Sequence, residues 1–190
     1  AALLAVLFAA AAYGYALTRT PVYEAVTPVK LQPARPADLG QTQAIKEVMR
    51  SFQQDIKTFD MAETVRVRLC GDPGEVASRL CATRDAGALR DMIEVGADAN
   101  VFEIQVKARA VDPSEAVKVS EQTADAFVDQ RSKAGLQQDL SDRILAEVRD
   151  APQPALYSPR KKLLVGAGGA IGGLLGALLV LFLEYLVRAV

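Results

Sequence analysis

Cys70 and Cys81 are the two thiols of the chain, and no histidine is present to activate either of them. The lack of histidine excludes His–Ser and His–Cys nucleophilic catalysis and His-ligated zinc. Two thiols cannot complete a structural zinc site, and their spacing is not that of a C-x-x-C redox pair. A disulfide between them is conceivable in an oxidising space. If each sits on its own helix around Asp72-Pro73-Gly74, however, Cys81 lies about 10 Å along the second helix, which disfavours the bridge and predicts buried free thiols. Aspartate and glutamate are plentiful, but none forms a convergent pair for general acid–base work, and solvated faces account for them better. Nothing resembles a phosphate-binding loop or a dinucleotide fingerprint. The expectation is a non-enzymatic protein with no cofactor and no metal.

The elements that carry these residues fall between two apolar ends. Net charge is −1, from 22 basic and 23 acidic residues. That balance gives no basic field for nucleic acid. A bilayer core about 30 Å thick takes about 20 apolar helical residues. Residues 163–183 meet that length, between Arg160-Lys161-Lys162 and Glu184, Tyr185 and Arg188. Tyr185 suits an interfacial belt, and Arg188 can pair with Glu184 one turn away. Residues 1–17 are only just long enough; they are read as an anchor helix, against the rival reading of a signal peptide. The expected organisation is a first transmembrane helix (1–17), a domain outside the bilayer (18–150), a proline-rich connector (151–162), a second transmembrane helix (163–183) and a short cytoplasmic tail (184–190). Charge counting alone leaves the orientation open.

The second apolar segment carries Gly168, Gly172 and Gly176 at four-residue spacing, with Gly169 and Gly173 beside them. Glycines four apart share one helix face and let a neighbouring backbone approach closely. A helix-packing seam, within or between subunits, is expected there. The connector supplies a membrane-proximal motif of Pro152, Pro154, Pro159, Arg160, Lys161 and Lys162. Its prolines favour an extended strap, and its cations suit anionic headgroups at about 1 kcal/mol each.

Within the domain, residues 22–32 alternate as a half-buried strand, and Pro28 points to an edge or a bulge. Gln32 to Gly40 reads as a loop. Ile45, Val48, Met49, Phe52 and Ile56 mark a helix over 41–58; Met61, Val65 and Leu69 fit a second over 61–70, where Val65, Val67 and Leu69 also alternate with Arg66 and Arg68 as a strand would, and helix is the reading taken. Asp72-Pro73-Gly74-Glu75 and Asp112-Pro113-Ser114-Glu115 both read as helix starts, with aspartate as N-cap and proline at the first helical position. The first such helix turns Val76, Leu80 and Cys81 inward; the second buries Ala116, Val119, Thr123, Ala126 and Phe127. Between them Phe102, Ile104, Val106, Ala108 and Ala110 alternate with polar residues as a strand. Asp91–Val95 forms the strand before it, and Gly96–Asn100 the turn. After Phe127, Leu136, Leu140 and Ile144 fit more helix, while Ile144, Ala146 and Val148 fit a returning strand. The sum is an α+β fold: two terminal transmembrane helices flanking one ferredoxin-like split β-α-β-β-α-β extracytoplasmic domain.

Three stretches resemble the Wzz-type chain-length determinants, or polysaccharide co-polymerases. They are Pro21-Val22-Tyr23-Glu24-Ala25 leaving the first apolar helix; Asn100–Val106 followed by Asp112-Pro113-Ser114-Glu115-Ala116; and Ala151-Pro152, Pro154 and Ser158–Lys162 entering a glycine-rich helix that ends Leu183-Glu184-Tyr185-Leu186. The likeness covers most of the chain and is weak between Gln41 and Arg90. It implies a bacterial cytoplasmic (inner) membrane protein that forms ring-like homo-oligomers. It also implies control of the length or export of a surface polysaccharide, such as a lipopolysaccharide or exopolysaccharide, through contact with a polymerase or a cytoplasmic tyrosine kinase. The domain is too short for the long protruding helix of the large family members, and a short form without a fused kinase is the expectation. The alternative is a structural accessory subunit of an unrelated membrane complex. A ligand sensor signalling across the bilayer ranks behind both.

Overall fold

A computed structural model describes residues 2–33, 39–137, 143–158 and 161–189. Two compact units emerge: residues 23–155, and residues 1–22 together with 156–190.

The first unit is built on an antiparallel sheet. Strand β1 (Val22–Pro33) lies between β3 (Glu103–Ala110) and β4 (Ile144–Val148), and β2 (Ile93–Asp98) flanks β3, giving the order β2-β3-β1-β4. A fifth strand, β5 (Gln153–Ser158), pairs with β1 off that path. The β1–β3 register runs from Tyr23↔Ala110 to Lys30↔Glu103. This register puts Ala25, Thr27, Val29 and Leu31 on the same buried face as Ile104, Val106, Ala108 and Ala110. Period-two alternation thus separates core from solvent along both central strands.

Helices cover the buried face. Helices α2 (Leu39–Ile56), α3 (Phe59–Gly71), α4 (Glu75–Thr83) and α5 (Ala86–Met92) stand between β1 and β2, and α6 (Pro113–Gly135) stands between β3 and β4. Ile45, Met49, Phe52 and Ile56 of α2, Met61, Val65 and Leu69 of α3, and Val119 and Phe127 of α6 enter one core. Phe52 and Phe127 meet edge to face, with ring centres 5.8 Å apart. Val67, the residue that a strand reading of 61–70 would bury, is exposed. Thr27 Oγ1 donates to Ser120 Oγ at 3.1 Å, joining β1 to α6 inside the core.

The expected ferredoxin-like split β-α-β-β-α-β domain between two terminal spans is overturned on two counts. Four helices, not one, separate β1 from β2, and β5 adds a strand that the plan lacks. Among the described residues, one helix is long and apolar enough to cross a membrane: α7 (Lys161–Ala189), through Val165–Phe182. Helix α1 (Ala2–Thr18) is the shorter apolar helix, with Ala5–Thr18 as its described apolar stretch, and it does not meet that test.

Local expectations are corrected as well. Pro28 sits in a central strand, where its carbonyl accepts from Arg149 N at 3.0 Å. Strand β2 starts at Ile93, because Asp91 and Met92 close α5, and it runs on to Asp98, so the turn falls at 99–102. Phe102 adopts a left-handed φ of 53° there, and its carbonyl accepts from Leu31 N at 2.8 Å. Asp72 is not a helix N-cap. It follows the end of α3, and α4 begins after Gly74. Asp112 does cap α6, with Pro113 in the first turn. The proline-rich connector is extended as expected, but it carries β5. Of the loop expected over Gln32–Gly40, residues 34–38 lie outside the described residues, as does Leu140 of the alternative helix; Ile144, Ala146 and Val148 form β4.

Candidate functional site

The α1–α7 unit reverses the usual distribution of side chains. Ala5, Ala9, Ala12 and Ala16 recur at spacings of four, three and four, so they form one stripe on α1. Among the described side chains of α1 these are the ones withdrawn from the surface, with Ala16 only 1% exposed. On α7, Gly172 and Gly176 are buried and Gly168 is half-buried. All three glycines of the expected seam therefore turn toward protein. A Cβ built on Gly168 would sit 2.8 Å from Ala12 Cβ and 2.9 Å from the Phe8 carbonyl oxygen, so the backbones approach as closely as glycine permits. Gly173, beside the stripe, has nothing within 4 Å of its Cβ position. The outer surface carries the bulk: Leu7, Phe8, Tyr13 and Tyr15 on α1, and Ile171, Leu174, Leu178 and Phe182 on α7. Small residues inside and large apolar residues outside is the arrangement of helices packed in lipid. At the end of α1 the Arg19 guanidinium lies 4.7 Å from the Tyr15 ring centre and donates to its hydroxyl.

The membrane-proximal motif is divided. Pro152 precedes β5, Pro154 lies within it, and Lys161 and Lys162 open α7. Pro159 and Arg160 lie outside the described residues, as do the side chains of Lys161, Lys162 and Arg188. Tyr185 is 70% exposed.

The sheet unit has two features that sequence reasoning missed. The first is a disulfide, Cys70–Cys81, with Cα atoms 5.1 Å apart. It overturns the expectation of free thiols. The estimate from helix rise counted distance along α4 as distance from Cys70. In fact residues 72–74 first carry the chain away, and α4 then packs back against the end of α3. The second feature is a reciprocal clamp between the two Asp-Pro turns. Asp72 receives Lys118 of α6 at 2.7 Å, and Asp112 and Glu115 of α6 receive Arg79 of α4 at 2.5 and 3.2 Å. Hydrogen bonding from Lys118 and the Gly74 amide holds the Asp72 carboxyl below its ordinary range. Ser114, through its hydroxyl and amide, does the same to Asp112, helped by Arg79. The converse case is Asp125 on α6, whose pKa burial raises.

Clefts on this unit are open and lined by mixed charge. One of about 430 Å³ lies between α3 and α6 and carries Asp60, Arg68, Asp129 and Lys133, with Arg68 paired to Asp129 at 2.5 Å. Another, of about 670 Å³, is bordered by Phe59, Arg66, Arg84 and Cys81. Among the described residues no group of three His, Cys, Asp or Glu side chains could hold a metal ion. The sheet face away from the helices bears cross-strand ion pairs, among them Arg109 with Glu24 at 2.7 Å and with Glu94.

Compared with known proteins, the chain matches no family model and no curated protein.

Proposed function

We propose that this protein is a membrane-anchored, non-enzymatic scaffold that regulates the length or export of a surface polysaccharide. It would act as a homo-oligomer in contact with a polymerase or kinase. The observation that carries the anchoring is the reversed distribution on α7, with glycines against α1 and Leu174, Leu178 and Phe182 outward. The polysaccharide role rests on the resemblance in the strand leaving α1, the Asp112-Pro113 turn and the proline-rich entry to α7. Placement of the sheet unit on the extracytoplasmic side of a bacterial inner membrane is supported by the Cys70–Cys81 disulfide, because such bonds persist in oxidising compartments.

Deleting the protein and measuring the size distribution of the surface glycan tests this reading. A shifted distribution, restored by the wild-type chain, is the expected result. An unchanged distribution, where the protein is normally expressed, would remove the polysaccharide role. Native mass spectrometry of the detergent-solubilised protein tests the mode of action. A large assembly of this chain alone is expected, whereas fixed stoichiometry with a foreign protein would favour an accessory subunit.

A further inference from the structure

The α4–α5 segment joins the main core through Ala77, Leu80 and Leu89, with Val76 and Met92 packed against it. Helix α4 buries Ala77 and Leu80, and α5 buries Ala86 and Leu89. Its remaining ties are the disulfide and the ion pairs of the clamp. Arg79 is 47% and Arg84 44% exposed, and exposed pairs of this kind add little to stability. Beside that packing, Cys70–Cys81 joins the C-terminal ends of α3 and α4 covalently and closes a loop of eleven residues' separation.

That link is open to attack. Cys70 lies on the exposed side of α3 at its C-terminal end, and Cys81 is half-buried on the border of the 670 Å³ cleft. The rate of thiol–disulfide exchange depends on whether a thiolate can reach a sulfur of the bond. Here Cys70 faces solvent, and the cleft brings solvent to Cys81.

We infer that Cys70–Cys81 is a site of thiol–disulfide exchange, and that a dithiol protein or small molecule can open it without unfolding the sheet. In the exchange, a thiolate of the dithiol attacks one sulfur, the Sγ–Sγ bond breaks, and the other cysteine leaves as a thiolate. The second thiol of the reagent then resolves the mixed disulfide. The products are two cysteine thiols and an oxidised dithiol, and two electrons have passed to the protein. Reduction releases the loop at 71–74 and loosens α4, while β1–β4, α5 and α6 keep their core. The clamp contact between Asp72 and Lys118 weakens in the same step, because Asp72 lies inside the released loop.

The test uses the full chain in detergent with dithiothreitol as the probe. Its reduction rate is measured under native conditions and again in denaturant, with free thiols trapped and counted by mass. Native reduction within about tenfold of the denatured rate is expected. Native reduction slower by a thousandfold or more would overturn the proposal, because the bond would then break only through global unfolding. Hydrogen exchange supplies the second reading, on the reduced chain and on the Cys70→Ser, Cys81→Ser variant. Amides of 72–83 are expected to exchange about a hundredfold faster, with those of β1, β3 and α6 unchanged. Unchanged exchange over 72–83, or loss of protection across the whole sheet, would each overturn it.

Discussion

Lys118 Nζ lies 2.7 Å from Asp72 Oδ2, so the residue that begins the first Asp-Pro turn is held by the helix that grows out of the second. The converse contact, Arg79 to Asp112, ties the second turn back to the helix that follows the first. The two turns form one electrostatic unit across 33 to 46 residues of sequence.

The unit sets a pH dependence whose sign follows from the shifts. Asp72 and Asp112 both titrate below the ordinary carboxylate range. A carboxyl whose folded pKa is depressed contributes stability that is present above its unfolded value, about pH 4, and is lost as pH falls through the folded value. Lys118 is shifted up by Asp72, so its contribution persists at lower pH and is lost only as pH rises above the ordinary lysine range. Thermal melts should therefore be flat across neutral pH and fall below about pH 4. Asp72→Asn should flatten that acid limb. An Asp72→Asn variant with the wild-type acid slope would show that the clamp does not carry the dependence.

The two aspartates should respond differently to truncation. Asp112 accepts from Ser114 N at 2.9 Å and caps a helix of 23 residues. Asp112→Ala should lower Tm by about 3–5 °C, and Asp112→Asn by much less, because an asparagine oxygen can still cap. Asp72→Ala caps no helix and should lower Tm less than Asp112→Ala at moderate salt. Equal losses would place the effect in the ion pairs rather than the cap.

Asp125 runs the other way. Burial raises its pKa, with Asp129 adding to the shift and Arg68 and Lys118 opposing it. A carboxyl whose folded pKa is raised costs no stability below its unfolded value, about pH 4; the cost grows as pH rises from there and is complete above the folded value. Asp125→Asn should therefore raise Tm at pH 7 by about 1–2 °C and leave it unchanged near pH 3. A lower Tm at pH 7 would mean that the pull of Arg68 and Lys118 on this carboxylate outweighs its burial.

Much of the sheet unit was legible because it is written in periodicity. Ala116, Val119, Thr123, Ala126 and Phe127 are all buried as their spacing predicts, and so are Ile104, Val106 and Ala108. What periodicity cannot carry is the direction in which one element returns against another. The Cys70–Cys81 bridge, the Lys118–Asp72 contact and the central position of Pro28 all depend on such returns. Nor does composition settle a span: residues 1–17 read as one by apolarity, yet among the described residues only α7 is long and apolar enough to cross a membrane. The glycine spacing on α7 specified a face, but the alanine stripe that meets it lies more than 150 positions away.

That alanine stripe yields the sharpest test of the anchor. Gly168→Ala adds one carbon at a point 2.9 Å from the Phe8 carbonyl oxygen, a backbone atom that cannot move aside alone. Gly173→Ala adds the same carbon where nothing lies within 4 Å. Helix propensity changes equally in both, so the difference between them isolates the packing. The readout is a disulfide engineered between Ala9→Cys and Gly169→Cys, whose Cβ positions lie 4.0 Å apart and so match bridge geometry. Overpacking of this kind costs about 1–3 kcal/mol, so Gly168→Ala should cut the intrachain cross-linking rate by about tenfold or more, while Gly173→Ala leaves it unchanged. Equal rates in the two variants would mean that α1 does not lie against Gly168. A cross-link that joins two chains instead of one would move the seam from within the subunit to between subunits.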